Sequence, residues 1–315
     1  MKITIIGSNG MLSAALTKYF MDLGNEVDVY GLDTPMGYSC TNFIHIDLVK
    51  VSLDVVPLKD SDIIIYAAGA GVQAAFVTDS VLMYQLNVKV PIDITLNLKK
   101  QNYKGIYISF GSYMEIGVNN EDGKSFTEEE IVCSLLPVTN DYALSKRLYS
   151  RYMADLRGGY TYWHFILPNM FSYDDFKPGT RLIPYVLQYL QAYKQGLNPD
   201  EPHFSIGTQT REFILMEDVF DIISKSIKLG LASGIYNMGG GTFQSIRELI
   251  KVLFNVFNVP CKDSFFGQEQ RRDGDVRSLR LNAIKLKNAL NALPSTTLIE
   301  ALQQKGILPL CTSRK

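Results

Sequence analysis

The chain predicts a doubly wound α/β fold: a parallel sheet with helices on both faces, followed by a smaller α/β unit. Three observations carry that expectation. Continuous apolar runs end in glycine or in small polar residues, as strands buried on both faces do. A helical pattern follows most of them, and that alternation builds a parallel sheet with crossover helices. After Pro168 the rhythm changes to short strands mixed with amphipathic helices.

The elements read in order. "ITIIG" is the first strand, and "MLSAALTKYFMDLG" is a helix stopped at Gly24. "EVDVYGLD", "FIHID" and "DIIIYAAGAG" are strands two to four. A long helix spans about Asp79 to Lys100, with a kink or local break expected at Pro91. "GIYISFGS" is the fifth strand. Ser125, three residues before Glu128, reads as a capping box. A helix containing "NDYALSK" follows, then "YTYWHFILP" as strand six. Beyond the polar loop "SYDDFKPGT" come an amphipathic helix "RLIPYVLQYLQAYKQG", short strands in "HFSI", "REFILMEDV" and "GIYNMGGG", and a helix in "QSIRELIKVLFNVF". The expected division is residues 1–170 for the first domain, with a return to it around 206–232. Residues 171–315 form mainly the second domain, and a cleft lies between the two.

Bulk properties narrow the function. With 315 residues, 46% of them hydrophobic, the chain can bury a sizeable core. A formal charge of −1 gives no electrostatic footprint for nucleic acid or for an anionic membrane. No stretch reaches the apolar length of a bilayer span. Cys40, Cys133, Cys261 and Cys311 are scattered, which predicts free thiols, no metal site and a cytoplasmic protein.

"GSNGMLS" places Gly7 and Gly10 between the first strand and the first helix. Glycines there let the backbone approach a pyrophosphate resting on the helix N-terminus, as in Rossmann-type domains. Asp33, at the end of strand two, stands where a carboxylate accepts hydrogen bonds from an adenosine ribose. Neither Lys nor Arg occurs between residues 34 and 49, so a 2′-phosphate would lack a counter-charge. The pattern favours NAD(H) over NADP(H).

These residues resemble the extended short-chain dehydrogenase/reductases, the nucleotide-sugar epimerases, dehydratases and reductases. The likeness runs nearly end to end. It includes the glycine loop, Asp47 in "HIDL", "YAAGAG", "YALSK", "TREFILMEDV", "GIYNMGGGTFQSIREL" and "RRDGDVRS". The resemblance implies cofactor contacts from Gly7, Asn9, Gly10, Met11 and Leu12 in the loop, and from Asp33, Asp47 and Leu48 toward adenosine. It implies further contacts from Ala67, Ala68, Gly69 and Asn87 after strand four, and from Tyr142 and Lys146 toward the nicotinamide ribose. Substrate contacts are implied for Ser112, Asn169, Leu182, Phe204, Arg211 and Arg272, the two arginines on a nucleotide-sugar diphosphate. A homodimer is expected by the same analogy. Two departures stand out. Ser13 replaces the loop's third glycine, and Ile166 and Leu167 precede Asn169 where the family has an arginine.

Tyr142 and Lys146 lie one helical turn apart and can share one small volume. Hydride transfer at a carbon bearing oxygen needs a matching proton transfer, which the phenol can supply. A free phenol has a pKa of ~10, so deprotonation near neutrality asks for a drop of ~3, or ~4 kcal/mol. Lys146 and a cationic nicotinamide are the expected sources. Ser112 is the third group, with Ser109, read as the end of the strand, as its competitor. Dehydratases place Asp and Glu after that hydroxyl, whereas this chain has Tyr113 and Met114. C3/C5 epimerases need a nearby cysteine and a histidine; Cys133 is remote, and Asp174 falls near the histidine's place. The expected activity is therefore an NAD(H)-dependent reduction or oxidation at C4 of a nucleotide-diphospho-sugar, foremost a 4-keto-6-deoxysugar. A 4-epimerase is the alternative, and a non-catalytic nucleotide sensor the more distant one. His164 and His203 read as structural.

Overall fold

The computed structural model describes residues 1–71, 79–157, 159–172, 181–271 and 276–308. Residues 173–180, Asp174 among them, Arg272 and Cys311 lie outside these residues.

Strands β1 (Lys2–Ile6), β2 (Glu26–Gly31), β3 (Asn42–His45), β4 (Ile63–Tyr66), β5 (Ile106–Ser112) and β6 (Thr161–Leu167) form the main sheet. The short β7 (Asn169–Phe171) and β8 (Thr210–Leu215) follow in the chain, and β9 (Gly234–Asn237) returns to complete the sheet. The order is β3-β2-β1-β4-β5-β6-β9, and every pairing is parallel. Chain order reverses between β1 and β4, which opens a crevice at the carboxyl ends of those two strands.

Both faces of the sheet are covered. Helices α1 (Met11–Asp22), α2 (Ser80–Tyr84), α3 (Val90–Lys100), α4 (Glu128–Val132) and α5 (Asp141–Ala154) come from the first half. Helices α6 (Leu182–Lys194), α7 (Met216–Leu229), α8 (Ile246–Val256), α9 (Ile284–Leu290) and α10 (Leu298–Gln304) come from the second. One core joins Ile64, Tyr107, Ile94, Leu98 and Tyr149, between the sheet and α3 and α5. The other joins Ile5, Val29, Leu16, Phe20, Val219 and Leu286, between the sheet and α1, α7 and α9. Burial of β4 on both faces explains its uninterrupted "IIIY".

A second, smaller sheet is built on β8. It pairs with β7, with the antiparallel β10 (Thr242–Ser245) and with β11 (Ser278–Leu279). Its core gathers Phe171, Leu187, Phe204, Phe213, Leu253 and Phe265 beneath α6, α8 and α10.

Three local expectations are corrected. The capping box before α4 is Thr127 with Glu130, two residues later than Ser125 and Glu128. Phe126 is held extended, donating its N–H to the Arg280 carbonyl at 3.0 Å and bridging Leu281, so a helix cannot begin before it. The break near Pro91 is a π-helical turn over Gln85–Lys89, just upstream of the proline. Proline has no N–H for the carbonyl four residues back, and the widened turn accommodates that loss. "HFSI" forms no strand; Phe204 makes only an isolated bridge to Phe266.

Candidate active site

The glycine loop sits at the switch point. Gly7 has φ +117°, and a Cβ there would lie 2.8 Å from the Ala68 nitrogen, so only glycine lets β1 turn against the segment after β4. Gly10 is the N-cap of α1 and offers no side chain to the first-turn N–H groups. Those amides, led by Met11 and Leu12, form an uncapped helix N-terminus of the kind that receives a phosphate anion. Ser13 fits its crowded position by folding inward. It is fully buried, and its hydroxyl donates to the carbonyls of Ser8 at 3.2 Å and Gly10 at 3.0 Å.

Asn9 ties the loop to the end of β2, donating to Thr34 O at 3.0 Å and accepting from Met36 N. Asp33 is exposed beside it. Asp47 accepts from Val49 N at 3.0 Å and pairs with Lys50 at 3.1 Å, while Leu48 next to it is buried. The hydrogen bond from Lys50 is the main reason the Asp47 carboxyl is held below the ordinary carboxylate range.

Ala67, Ala68 and Gly69 continue from β4 along the crevice. Asn87, in the π turn, positions this segment. Its amide donates to Ala70 O and to the Ser145 hydroxyl, and its carbonyl accepts from Ala70 N, each at 3.0 Å. It is buried. Its side chain therefore clips the crevice wall to α5.

Helix α5 starts at a capped N-terminus, where the Asn140 side chain accepts from Ala143 N at 2.9 Å. Tyr142 and Lys146 follow on one face, both partly buried. A Cβ on Gly71 would lie 3.4 Å from Cβ of Tyr142, which puts the tyrosine beside the crevice wall. Nζ of Lys146 is 6.0 Å from the Tyr142 ring centroid and donates to Phe110 O at 3.0 Å. Burial pushes the phenol up to about 12; a hydrogen bond from Ser112 opposes this, and the charge of Glu115 adds to it. Burial also draws Lys146 below its usual value, against the pull of Glu115. Burial thus outweighs the opposing effect of Ser112, and Lys146 is not among the groups that lower the phenol.

The two candidate serines separate cleanly. Ser109 is mid-strand, fully buried, with Oγ 2.9 Å from Nδ1 of His164. Ser112 is the last residue of β5, its hydroxyl accepts from Met114 N at 3.3 Å, and it is the serine that lowers the Tyr142 phenol against burial. The next two positions, Tyr113 and Met114, bring no acid or base.

On the facing side Asn169 opens β7 with an exposed side chain. Arg211 is buried on β8, donating to the carbonyls of Thr210 at 2.7 Å and Val276 at 2.8 Å. Leu182 begins α6, partly buried on the small core. Phe204 lies inside that core, its ring 5.5 Å from Phe266 and 6.0 Å from Tyr185. Sequence reasoning missed Glu115, which is fully buried behind Ser112. It also missed Arg147, whose guanidinium donates to the carbonyls of Glu115, Ile116 and Leu136.

A glycine loop at a switch point, faced by a tyrosine–lysine pair, is the arrangement of dinucleotide-dependent oxidoreductases. The chain belongs to the NAD dependent epimerase/dehydratase family, whose model matches residues 3–239. It is 22% identical over 242 residues to a UDP-glucose 4-epimerase of Rhizobium leguminosarum bv. trifolii, a match that spans 75% of this chain and 64% of that protein. It is 24% identical over 247 residues to a GDP-6-deoxy-D-mannose reductase of Pseudomonas aeruginosa, over 77% of this chain and 78% of that one. The fold matches that of DesIV, a dTDP-glucose 4,6-dehydratase from Streptomyces venezuelae solved with NAD and TYD bound. That match has a TM-score of 0.74 at 18% identity and covers 96% of this chain and 95% of that one. Among the described residues, no helix is long and apolar enough to cross a membrane.

Proposed function

We propose that this chain is an NAD(H)-dependent oxidoreductase acting at C4 of a nucleotide-diphospho-sugar, foremost a reductase of a 4-keto-6-deoxysugar. The observation that carries the reading is the Tyr142–Lys146 pair on one face of α5, set against the crevice wall and the end of β5 where Ser112 lies, with Tyr113 and Met114 where elimination would need an acid and a base. A neutral phenol is a proton donor, which is what reduction of a ketone requires.

The chain's own residues divide the work. The first-turn amides of α1, with Gly7 and Gly10, receive the pyrophosphate, and Asp33 binds the adenosine ribose. Bound NADH supplies the hydride. Ser112 hydrogen-bonds the C4 oxygen, and Tyr142 delivers a proton to it as the carbon is reduced. Lys146 orients the nicotinamide ribose and then helps to restore the phenol's proton. Asn169 and Arg211, with Arg272, hold the diphosphate and keep the sugar over Tyr142.

A 4-epimerase is the second reading, favoured by Asp33 and by the similarity to a UDP-glucose 4-epimerase. Purified protein separates the two. NADH consumed stoichiometrically with GDP-, UDP- or dTDP-linked 4-keto-6-deoxysugars supports the reductase. Retained NAD and interconversion of C4 epimers without net oxidation supports the epimerase. Neither result would leave the sensor alternative.

The free thiols of Cys40, Cys133 and Cys261 fit a reducing cytoplasm. Exposed Val81, Leu96 and Leu148 on neighbouring helices fit a homodimer, which light scattering would test.

A further inference from the structure

Glu115 stands out among the carboxylates. Four capping boxes occur among the described residues, at Ser112/Glu115, Thr127/Glu130, Ser245/Glu248 and Thr297/Glu300. Glu130, Glu248 and Glu300 are exposed, whereas Glu115 has no exposed surface. A cap alone does not require a buried carboxylate, and burying one is costly unless a charge or hydrogen bonds compensate.

The surroundings show what it faces. Oε1 accepts from Ser112 N at 2.7 Å, and Oε2 has no hydrogen-bond partner among the described residues. Burial raises its carboxyl to about 7, and from α5 the neighbouring Ser150 and the charges of Lys146 and Arg147 oppose that rise; its own charge bears on Tyr142. Arg147 uses its fork on carbonyls, including that of Glu115 at 2.7 Å, and so pins the turn to α5. From β6 comes His164, a neutral ring held between Ser109 and Ser150. A Cβ on Gly111 of β5 would strike both Glu115 Oε1 and His164 Nε2, so these two side chains meet over that glycine. From α4, Glu128 turns away to accept Asn237 N at 2.9 Å; β11, Ser278–Leu279, has no ionisable side chain.

We propose that Glu115 is a positioning residue for the set Ser112, Tyr142 and Lys146: its carboxyl fixes the Ser112 amide and packs on Gly111, next to the Phe110 carbonyl that receives Lys146. The inference rests on the reading of the site given above. One side chain thereby ties the strand that presents the serine to the helix that presents the tyrosine and lysine. Arg147, one residue beyond Lys146, locks the same turn from the other side.

Glu115→Gln removes the charge while keeping an acceptor for the Ser112 amide. NADH affinity is followed by fluorescence titration across pH 6–10. In the native chain affinity falls on the alkaline side as Lys146 loses its proton, and Lys146→Arg abolishes that fall. In Glu115→Gln the midpoint moves down by about one pH unit or more, and kcat/KM near pH 8 drops about tenfold. A midpoint unchanged in folded Glu115→Gln overturns the proposal. A thermal-melting cycle adds a measurement independent of cofactor, using Glu115→Gln, Lys146→Met and the double variant. Coupling between the two positions, or folding of the double variant where Glu115→Gln alone fails, supports the proposal. Strict additivity, or a double variant that fails although Lys146→Met folds, overturns it. A native chain that binds no NADH at all removes the reading of the site, and the melting cycle then still decides whether Glu115 and Lys146 are coupled.

Discussion

Ser109 and His164 stand directly opposite each other on β5 and β6, joined by a 2.9 Å bond between Oγ and Nδ1. Ser112, three residues further along β5, stands opposite Leu167 instead and is the serine that bears on the Tyr142 phenol. The two serines should respond differently to removal of their hydroxyls. Ser112→Ala is expected to lower kcat about 10²-fold with little change in melting temperature. Ser109→Ala should leave kcat within about twofold. It should cost about 1–3 kcal/mol of stability, because a buried imidazole nitrogen loses its partner. Steady-state kinetics and urea melts on both variants check this.

His164 also sets an acid limit. Burial holds its imidazole at about 3, against ~6.5 in an unfolded chain. The unfolded state therefore takes up the proton first as pH falls. The stability linked to the neutral ring is complete above ~6.5 and is lost progressively down to about 3. Between pH 7 and 4.5 the contribution is about 2–3 kcal/mol. Urea unfolding at those two pH values should show a steeper loss for the native chain than for His164→Gln. Equal losses would remove His164 from the acid limb.

Tyr142→Phe removes the proton donor and leaves the ring. Turnover with a ketosugar should fall by about 10²–10⁴-fold, while NADH affinity changes less than about threefold, since the substitution removes one hydroxyl and keeps the ring. Turnover unchanged by this substitution would take Tyr142 out of the mechanism.

Cofactor choice should follow Asp33. With its carboxylate in place, a 2′-phosphate meets a like charge and no cation in the loop that follows. Asp33→Asn is expected to improve NADPH affinity relative to NADH by about tenfold, or ~1.4 kcal/mol. Dissociation constants for both cofactors, native against variant, measure the ratio.

Much of this architecture was legible in the residues alone. β4 betrays itself through four consecutive buried apolar side chains, and the helix of Tyr142 through its capping asparagine and its periodicity. The Gly7 turn followed from its place between strand and helix. What was not legible depended on distant partners. Phe126 delays α4 because it pairs with Leu281, more than 150 residues further along the chain. Glu115 in "SYMEIG" looks like a loop acid until α5 closes over it. The surroundings of the Tyr142–Lys146 pair were not legible for a related reason: spacing puts a lysine near a phenol, but only packing decides that Lys146 donates to Phe110 O and that burial raises the phenol.

The widened turn at Gln85–Lys89 makes this helix a phase device. Each residue of an ordinary α-helix advances the azimuth by ~100°. Deleting one residue there would let the turn relax into regular winding and swing Asn87 by about that angle, off both Ala70 and Ser145. The angular bookmark that holds the crevice wall against α5 is thus stored in a surplus residue, and its loss would release the wall from the helix in one step.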